Sequence, residues 1–344
     1  MSMKIVAGLG SVDEYIRYCK AGADEFFCGY VPYQWTKKYG TMMALNRREV
    51  LCCNVQIGGE EELKILTSMI RVYQKPVHLT FNSLYYLPEQ YPLIGQMISN
   101  CLEMGFRSYI IADPALILYL HEKGINCEIH LSGELGEMNS SVAETFAEMN
   151  LKRIIFHRKN STADMQAVIK AVERNQCSRA GQMEYEAFAL NELCQFSGSF
   201  CNSLHCDEMG HLCRVPYWMG EVSDKQRGRR TATYGESSQQ SPESVGCSEG
   251  GESDVIDEDT EGNYLCGQSG CGLCELYALR KAGITHVKLV GRGNYVDSME
   301  QDIRNLRKAL EILGQAESEE LFRKKIKQEL FPGGCSGNCY YLQE

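Results

Sequence analysis

Strand-like segments recur along the 344-residue chain, and most are followed by a segment with helical periodicity. Eight short apolar or alternating runs are predicted as strands, at residues 4–8, 25–29, 77–82, 108–113, 127–131, 153–157, 184–189 and 286–290. Helices are predicted at 12–21, 60–72, 89–104, 115–123, 140–149, 162–173 and 299–313. Repeated strand–helix units indicate a parallel sheet, and eight units are what a closed (β/α)8 TIM-type barrel requires. An open doubly wound sheet is the alternative.

In such a barrel the chemistry lies at the carboxyl ends of the strands. The predicted strands end in Gly29, Asn82, Asp113, His130, His157 and the Gly291-Arg292 pair. His130 and His157 are candidates for moving protons, because imidazole titrates near neutral pH. Arg158 and Arg292 are candidates for clamping a carboxylate or phosphate through bidentate hydrogen bonds, the alternative being structural ion pairs. We predict a binding mouth with Asn82, Asp113 and these four side chains as catalytic candidates.

The regular pattern is interrupted between the seventh and eighth predicted strands. Residues 221–262 are rich in Ser, Gly, Glu and Asp and carry −7 of the chain's net charge of −10. A segment of this composition buries too little apolar surface to offset its ordering entropy, so we predict a disordered acidic insert. The predicted organisation is therefore seven βα units in 1–220, the insert in 221–262, and strand 8 with the final helices in 263–344.

Seventeen cysteines are the unusual feature of the composition. The chain is long, the count is odd and no signal peptide or membrane-spanning apolar run is apparent, which argues against a secreted disulfide scaffold. We predict a cytoplasmic protein without a membrane partner, in which cysteine enrichment reflects metal ligation or an anaerobic organism. The net charge of −10 argues against a chain-wide basic surface for nucleic acid but leaves room for a local patch.

The cysteine spacing suggests a metal or cluster site. Cys194 and Cys201 are seven residues apart, Cys206 and Cys213 repeat that spacing, and Cys271 and Cys274 form a Cys-x2-Cys pair. Four converging thiolates hold either a [4Fe–4S] cluster or structural zinc. Zinc usually takes two close Cys-x2-Cys pairs, so the wider spacing favours the cluster, with zinc and unligated thiols as alternatives.

The sequence resembles the collagenase-like peptidases, family U-32, over most of its length outside the insert. The resemblance rests on Glu186-x-Phe188 with Cys194-x6-Cys201, on Cys213-Arg-x-Pro-Tyr217, and on Ala21–Asp24, Asn82, Asp113, His130-x-Ser132, Asn139, Arg158, Leu273-Cys274-Glu275 and Lys288–Arg292. This family includes oxygen-independent hydroxylation proteins that act on ubiquinone precursors and on RNA, and its core is similar to a TIM barrel.

The resemblance also implies a set of cluster ligands. It places Cys194, Cys201 and Cys274 as three ligands of a [4Fe–4S] cluster. Met209 stands where relatives carry another cysteine, so Cys213 is the favoured remaining ligand, with Cys206 or Cys271 as alternates. We predict that exchanging Cys194 or Cys274 abolishes the cluster.

Several positions depart from the family pattern near the predicted mouth. Leu190-Asn191-Glu192 replaces the usual His-Gly-Ala, Glu134 replaces a glutamine, Arg158-Lys-Asn-Ser161 replaces Arg-Glu-Leu-Ser, and Lys288–Arg292 lacks the usual carboxylate. Substrate and reaction are therefore not carried over together with the fold.

Three functional hypotheses follow. The leading one is an iron–sulfur oxygen-independent hydroxylase, or a related redox modification enzyme, that uses an electron donor and acts on an RNA or a small molecule. The second is the peptidase activity that gives the family its name, although the sequence contains neither His-Glu-x-x-His nor Gly-x-Ser-x-Gly. The third is a non-catalytic partner of a homologous chain or a homodimer.

The tail cysteines Cys335 and Cys339 are left with several interpretations. They could cap the cluster, form a redox disulfide or bind a second metal. The alternative is an unattached tail.

Overall fold

Nine parallel strands form the centre of the computed structural model, which describes residues 3–40, 43–47, 55–136, 138–146, 149–174, 183–194 and 264–341. The strands are β1 (Lys4–Leu9), β2 (Glu25–Tyr30), β3 (Gln56–Ile57), β4 (Val77–Phe81), β5 (Ser108–Ile111), β6 (Glu128–Leu131), β7 (Leu151–Ile155), β8 (Glu184–Leu190) and β9 (His286–Leu289). Their order is β1-β9-β8-β7-β6-β5-β4-β2, and β1 also pairs with β2, which closes the ring. The predicted eight-stranded TIM-type barrel is confirmed, and the open sheet is excluded. The two-residue β3 is an addition that pairs with β2 outside the ring.

Helices follow most of the strands. They are α1 (Glu14–Ala21), α2 (Tyr33–Tyr39), α3 (Glu60–Tyr73), α4 (Tyr91–Met104), α5 (Pro114–Glu122), α6 (Ser140–Phe146), α7 (Thr162–Arg174), α8 (Leu276–Ala282), α9 (Val296–Gln315) and α10 (Glu319–Leu330). All seven predicted helices are present, with boundaries that differ by at most three residues. The prediction missed α2, α8 and α10.

The helices pack on the outside of the sheet through apolar faces. In α9, Ile303, Leu306, Leu310 and Leu313 recur every three or four residues and are all buried. Gly22 ends α1 at a φ of 115° and Gly283 ends α8 at a φ of 104°, a backbone conformation that costs glycine least. These left-handed turns direct the chain from each helix into the next strand.

Some sequence predictions fall outside the described residues. The acidic insert 221–262 is one of them, so its disorder and the domain boundaries stay predictions. Within the described part of the chain, no helix combines the length and apolar character that crossing a membrane requires.

Glu14 at the start of α1 gives the stability of the fold a pH dependence. Its carboxyl group is 3% exposed and accepts a hydrogen bond from the Gly10 N–H at 2.7 Å. Burial raises the pKa of Glu14 to about 7. The folded protein therefore holds a proton that the unfolded chain releases, so this group's contribution to the free energy of unfolding falls as pH rises from about 4.5 to 7.

Glu14→Gln is expected to remove that contribution, about 2–3 kcal/mol over the window. Burial lowers the pKa of His78 and His130, which contribute with the opposite sign, so the informative quantity is the difference between variant and parent in urea unfolding at several pH values. Glu62→Gln is the matched control, because Glu62 accepts from Gly58 and Gly59 at the start of α3 but is only half-buried. Equal pH slopes in the parent and Glu14→Gln would contradict the assignment.

Candidate active site

Arg153 on β7 is the centre of a charged network inside the barrel. Its guanidinium donates to Glu184 Oε2 at 2.9 and 2.6 Å, to Glu186 Oε2 at 2.8 Å and to Glu25 Oε2 at 2.6 Å. The residue is 1% exposed. Because β2 and β7 are not neighbours in the sheet, the contact with Glu25 spans the barrel interior. Three carboxylates thus share one buried guanidinium.

Two lysines balance the remaining negative charge. Lys288 Nζ on β9 donates to Glu186 Oε1 at 2.8 Å and lies 3.8 Å from the centre of the Phe27 ring. Lys4 Nζ donates to Glu25 Oε1 at 2.8 Å. Burial alone would raise the pKa of Glu186, but Lys288 and Arg153 lower it to about 2. Glu186 is therefore a carboxylate at neutral pH, within a network of matched charges.

Histidines extend the network within the barrel interior. His78 Nδ1 lies 2.5 Å from Ser108 Oγ, and His78 Nε2 lies 3.0 Å from Glu25 Oε2. The ring centres of His78 and His130 are 4.5 Å apart. Burial, and the positive charge of Arg153, lower the pKa of His130 well below its usual value. His130 is therefore neutral at physiological pH, and its Nδ1 has no hydrogen-bond partner among the described residues. It lies inside the barrel below the rim, one residue before the end of β6.

Arg292 follows β9 and reaches across the barrel at the mouth. Its Nη1 lies 3.4 Å from Thr80 Oγ1, and its guanidinium carbon lies 5.8 Å from the Phe27 ring centre. A Cβ on Gly29 would lie 2.7 Å from Nη1, and one on Gly8 would lie 2.9 Å from Arg292 Cγ. These two glycines therefore make the space in which the 5%-exposed arginine lies.

Arg158 lies after β7 and faces the carboxylate of Glu134. Its guanidinium lies 4.0 Å from the centre of the Phe188 ring, and its Nη1 lies 3.6 Å from Glu134 Oε1. The other Glu134 oxygen lies 3.5 Å from Arg47 Nε. Glu134 is thus held between two arginines. Arg158 is 7% exposed, and its Nε has no hydrogen-bond acceptor among the residues that the structure describes.

Asp113 and Asn82 hold the loops around the mouth. Asp113 Oδ1 accepts from the Ala115 N–H at 2.9 Å and caps α5, while its Oδ2 accepts from Tyr91 Oη at 2.9 Å and the Tyr86 N–H at 3.2 Å. Asn82 Oδ1 accepts from the Arg47 N–H at 3.1 Å. Both side chains therefore position neighbouring backbone, and a direct catalytic role for either stays a prediction.

His157 is 2% exposed at the end of β7. Its Nδ1 accepts a hydrogen bond from the Lys159 N–H at 3.2 Å, which assigns the ring proton of the neutral form to Nε2. The next residues are also fixed, because Asn160 exchanges hydrogen bonds with the backbone of Met138 at 3.1 and 3.2 Å. His157 is thus a rigidly held imidazole at the rim.

The segment 43–47, which sequence reasoning missed, connects the predicted site residues. Asn46 Oδ1 accepts from Thr80 Oγ1, the contact of Arg292, at 2.6 Å. Its neighbour Arg47 links Asn82 to Glu134 and so to Arg158. A pocket beside the mouth is lined by Asn46, Arg47, Ser83, Tyr85, Tyr86 and Gln90, among others. The structure thus brings Asn82, Arg158 and Arg292 into one connected set of contacts.

The buried network below the mouth was also not predicted from the sequence. Its charged members alternate with apolar residues along two strands, at Glu184 and Glu186 on β8 and at His286 and Lys288 on β9. Charged side chains at every second position of an otherwise apolar strand point to one face of the sheet. That period of two was the signal that could have revealed a polar barrel interior.

The cysteine region begins where β8 leaves the barrel. Asn191 and Leu193 donate backbone hydrogen bonds to Gly270 and Ser269 at 2.8 and 2.6 Å, and Gly272 donates to Ala189 at 2.7 Å. These bonds place the segment that leads to Cys194 antiparallel to the segment that leads to Cys271 and Cys274. Both segments lie at the carboxyl end of β8, beside the mouth.

The predicted cluster ligands are only partly described. Cys194 and Cys274 supply thiol donors on the two paired segments, whereas Cys201, Cys206 and Cys213 lie outside the described residues. Within the described part of the chain, no three His, Cys, Asp or Glu side chains converge on a common metal position. The donor type fits a cluster, and the ligand set stays a prediction.

A closed parallel barrel with a charged interior and a polar mouth defines a TIM-barrel protein whose candidate site lies at the carboxyl ends of the strands. The sequence profile of peptidase family U32 matches residues 10–339, and the chain belongs to this family.

Individual relatives are distant. The chain is 30% identical to tRNA hydroxylation protein P of Escherichia coli (strain K12) over 100 residues, which are 29% of this chain and 20% of that protein. The match thus spans about a fifth of the curated relative's length. Among solved structures, the U32 peptidase Mk0906 is 13% identical with a TM-score of 0.40, covering 55% of this chain and 70% of that one. KGPDC from Streptococcus mutans is 9% identical with a TM-score of 0.40, covering 91% and 99% of the two chains.

Proposed function

We propose that this U32 protein is an oxygen-independent hydroxylase, or a related redox modification enzyme, whose substrate binds at the barrel mouth through an anionic group. The observation that carries the proposal is the buried Arg158 guanidinium, whose Nε has no acceptor within the described part of the chain, while its Nη1 lies 3.6 Å from Glu134 Oε1. A buried donor without a partner costs free energy, which an anionic ligand would recover. Phosphate and carboxylate are the groups that a guanidinium recognises best.

Below the arginines, neutral His130 offers an unpaired Nδ1 that can exchange a proton with a bound substrate. The balanced charges of Glu186, Lys288 and Arg153 fix the floor beneath it. Because these groups are already paired with one another, they do not compete for the substrate. The same proposal gives His157 a role in moving protons and Arg292 a role in binding the anionic group of the substrate.

A [4Fe–4S] cluster is the proposed cofactor, held by Cys194, Cys201, Cys213 and Cys274, with structural zinc as the alternative. The hydrogen-bonded pairing of the segments before Cys194 and Cys274 supports it, since both meet at the rim that Arg158 lines. When bound, such a cluster supplies electron transfer or Lewis-acid chemistry. An external electron donor is then a required partner.

RNA is the substrate that we favour over a small molecule, on the strength of the relative named as a tRNA hydroxylation protein. Arg47, Arg158 and Arg292 give the mouth a local positive character that the net charge of −10 conceals. Phosphate contacts of this kind weaken as salt rises. Binding of bulk tRNA that did not change between low and high salt would count against an RNA substrate.

Hydrolysis is less well supported by the geometry. Ser108, His78 and Glu25 form a hydrogen-bonded chain that resembles a hydrolase triad. Their exposures are 5%, 4% and 4%, inside the barrel, so the serine hydroxyl is shielded from a peptide. These three residues belong to the buried charged network, which accounts for the hydrogen bonds between them.

The test compares neighbouring cations at the rim. Arg158→Gln is expected to lower formation of hydroxylated nucleoside about 10- to 100-fold, because a charge-assisted hydrogen bond is lost. Nucleosides from cells that carry each variant are measured by mass spectrometry, together with the iron content of the purified protein. Lys159→Gln, which changes the exposed adjacent cation, is expected to retain both. If the amount of hydroxylated nucleoside does not depend on this protein, the RNA proposal is overturned. If activity appears only after a homologous chain is added, the result favours the hypothesis that this protein is a non-catalytic partner of that chain.

A further inference from the structure

The C-terminal tail lies on the loop that precedes α8. Ser336 Oγ donates to Gly267 O at 2.8 Å and Asn338 Nδ2 donates to Gln268 O at 2.5 Å. The backbone continues the attachment, since Cys271 N–H donates to Asn338 O at 2.8 Å and Tyr340 N–H donates to Cys271 O at 2.9 Å. The tail is therefore built into the barrel rim, and the unattached-tail interpretation is wrong.

Two tyrosines anchor the tail beside the candidate site. Tyr340 and Tyr341 are 7% and 8% exposed, and Tyr341 Oη donates to Phe188 O at 2.9 Å. Burial raises the pKa of both phenols, and the nearby Arg158 guanidinium opposes that change. A Cβ on Gly270 would lie 2.8 Å from the Tyr340 ring, so glycine there makes room for the ring. The tail thus contributes to the surroundings of Arg158.

The backbone bonds make Cys271 and Cys339 direct partners in a parallel β-bridge. Neighbouring strands lie about 4.7–4.9 Å apart, and parallel partners direct their side chains to the same face. A disulfide joins Cα atoms about 4.4–6.8 Å apart. Cys339 is exposed and Cys271 is half-buried, and both are free thiols. Burial, together with the nearby thiols of Cys274 and Cys339, raises the pKa of Cys271 to about 12.

We propose that Cys271 and Cys339 form a reversible disulfide that locks the C-terminal tail onto the barrel. The exposed Cys339 thiolate attacks a low-molecular-weight disulfide such as oxidised glutathione and releases one glutathione thiol. The Cys271 thiol, losing its proton, then attacks the Cys339 sulfur and releases the second glutathione thiol. The two protein thiols are oxidised by two electrons, and the glutathione disulfide is reduced by the same number.

The consequence of the lock is control over Tyr340 and Tyr341. In the reduced protein the tail is held by hydrogen bonds and two rings, so it can open locally. In the oxidised protein the bond next to Tyr340 prevents that opening. The disulfide uses none of the favoured ligands Cys194, Cys201, Cys213 and Cys274, so it is compatible with a cluster held by those four thiols.

The experiment uses the full-length protein with the metal that it carries after purification. Samples equilibrated with oxidised or reduced glutathione are alkylated, digested without reduction and analysed by mass spectrometry with fragmentation of linked peptides. A Cys271–Cys339 link is expected in the oxidised sample, absent after reduction and absent in Cys339→Ser. Exchange of the Tyr340 amide hydrogen is expected to slow at least about tenfold on oxidation.

Cys335→Ser is the matched control, because Cys335 is an exposed thiol four residues earlier in the same tail. It is expected to leave the link and the slower exchange intact. A link through Cys274 or Cys335, glutathione attached only to Cys339, or zinc bound by these thiols with no link would each overturn the proposal. None of these outcomes bears on hydroxylated nucleoside, so the two proposals can fail separately.

Discussion

Replacing Arg153 by methionine is expected to lower the free energy of unfolding by about 3–5 kcal/mol, because it leaves buried carboxylates without their cation. Glu25, Glu184 and Glu186 all accept hydrogen bonds from this guanidinium. Urea unfolding followed by circular dichroism measures the loss. Arg153→Lys keeps the charge but replaces the planar guanidinium fork by a single ammonium nitrogen, which does not reproduce the geometry of the three contacts, so an intermediate loss is expected.

Arg17→Met is the matched control for this prediction. Arg17 on α1 also binds two carboxylates, Asp297 at 2.5 Å and Glu300 at 2.6 Å, but 46% of its side chain is exposed. Solvent screens such a pair, so the urea midpoint is expected to change little. Equal losses for Arg17→Met and Arg153→Met would show that burial of the network is not what makes Arg153 important.

Cys194→Ala and Cys274→Ala are each expected to reduce the iron content of protein purified without oxygen from about four per chain to below one. The reason is that a four-thiolate cluster loses a ligand, while the remaining three bind iron weakly. Iron, sulfide and zinc analysis with the visible spectrum provides the measurement. Cys19→Ala, on α1, is expected to retain the iron.

Two further variants sharpen the ligand assignment. Cys271→Ala tests whether Cys271 rather than Cys274 is a ligand, since iron is lost only when a true ligand is replaced. Cys339→Ser should retain iron while losing the tail disulfide. A normal iron content in either Cys194→Ala or Cys274→Ala would overturn the ligand assignment. One zinc per chain in a colourless protein would indicate a structural zinc site instead of a cluster.

Local patterns in the sequence were sufficient for the barrel. A period of two in the strands and of 3.6 in the helices depends only on neighbouring residues, so eight strands and seven helices could be located from them. The short strand β3 and helix α2 escaped because elements of two and seven residues carry little periodic signal. The candidate residues Arg292 and His130 were likewise found from their place near strand ends, whereas Arg158 was found from the family resemblance.

The polar interior could not be inferred in the same way. Arg153 and Glu25 are 128 positions apart, and His286 and Glu25 are 261 apart, so their contacts exist only after the ring of strands closes. Likewise, Glu134 reads as an isolated family departure until Arg47 and Arg158 are found on either side of it.

The sequence by itself determined the βα repeat, the parallel barrel and the family, because each follows from periodicity or from a local motif. Only the tertiary structure decided which charges neutralise each other, which loop connects the site residues, and that the tail meets Cys271. Those features depend on side chains that are distant in sequence and are brought together by closure of the sheet. Burial then sets the cost of losing a partner, since removing one member of an exposed ion pair changes stability little, whereas removing one member inside the barrel leaves an uncompensated buried charge.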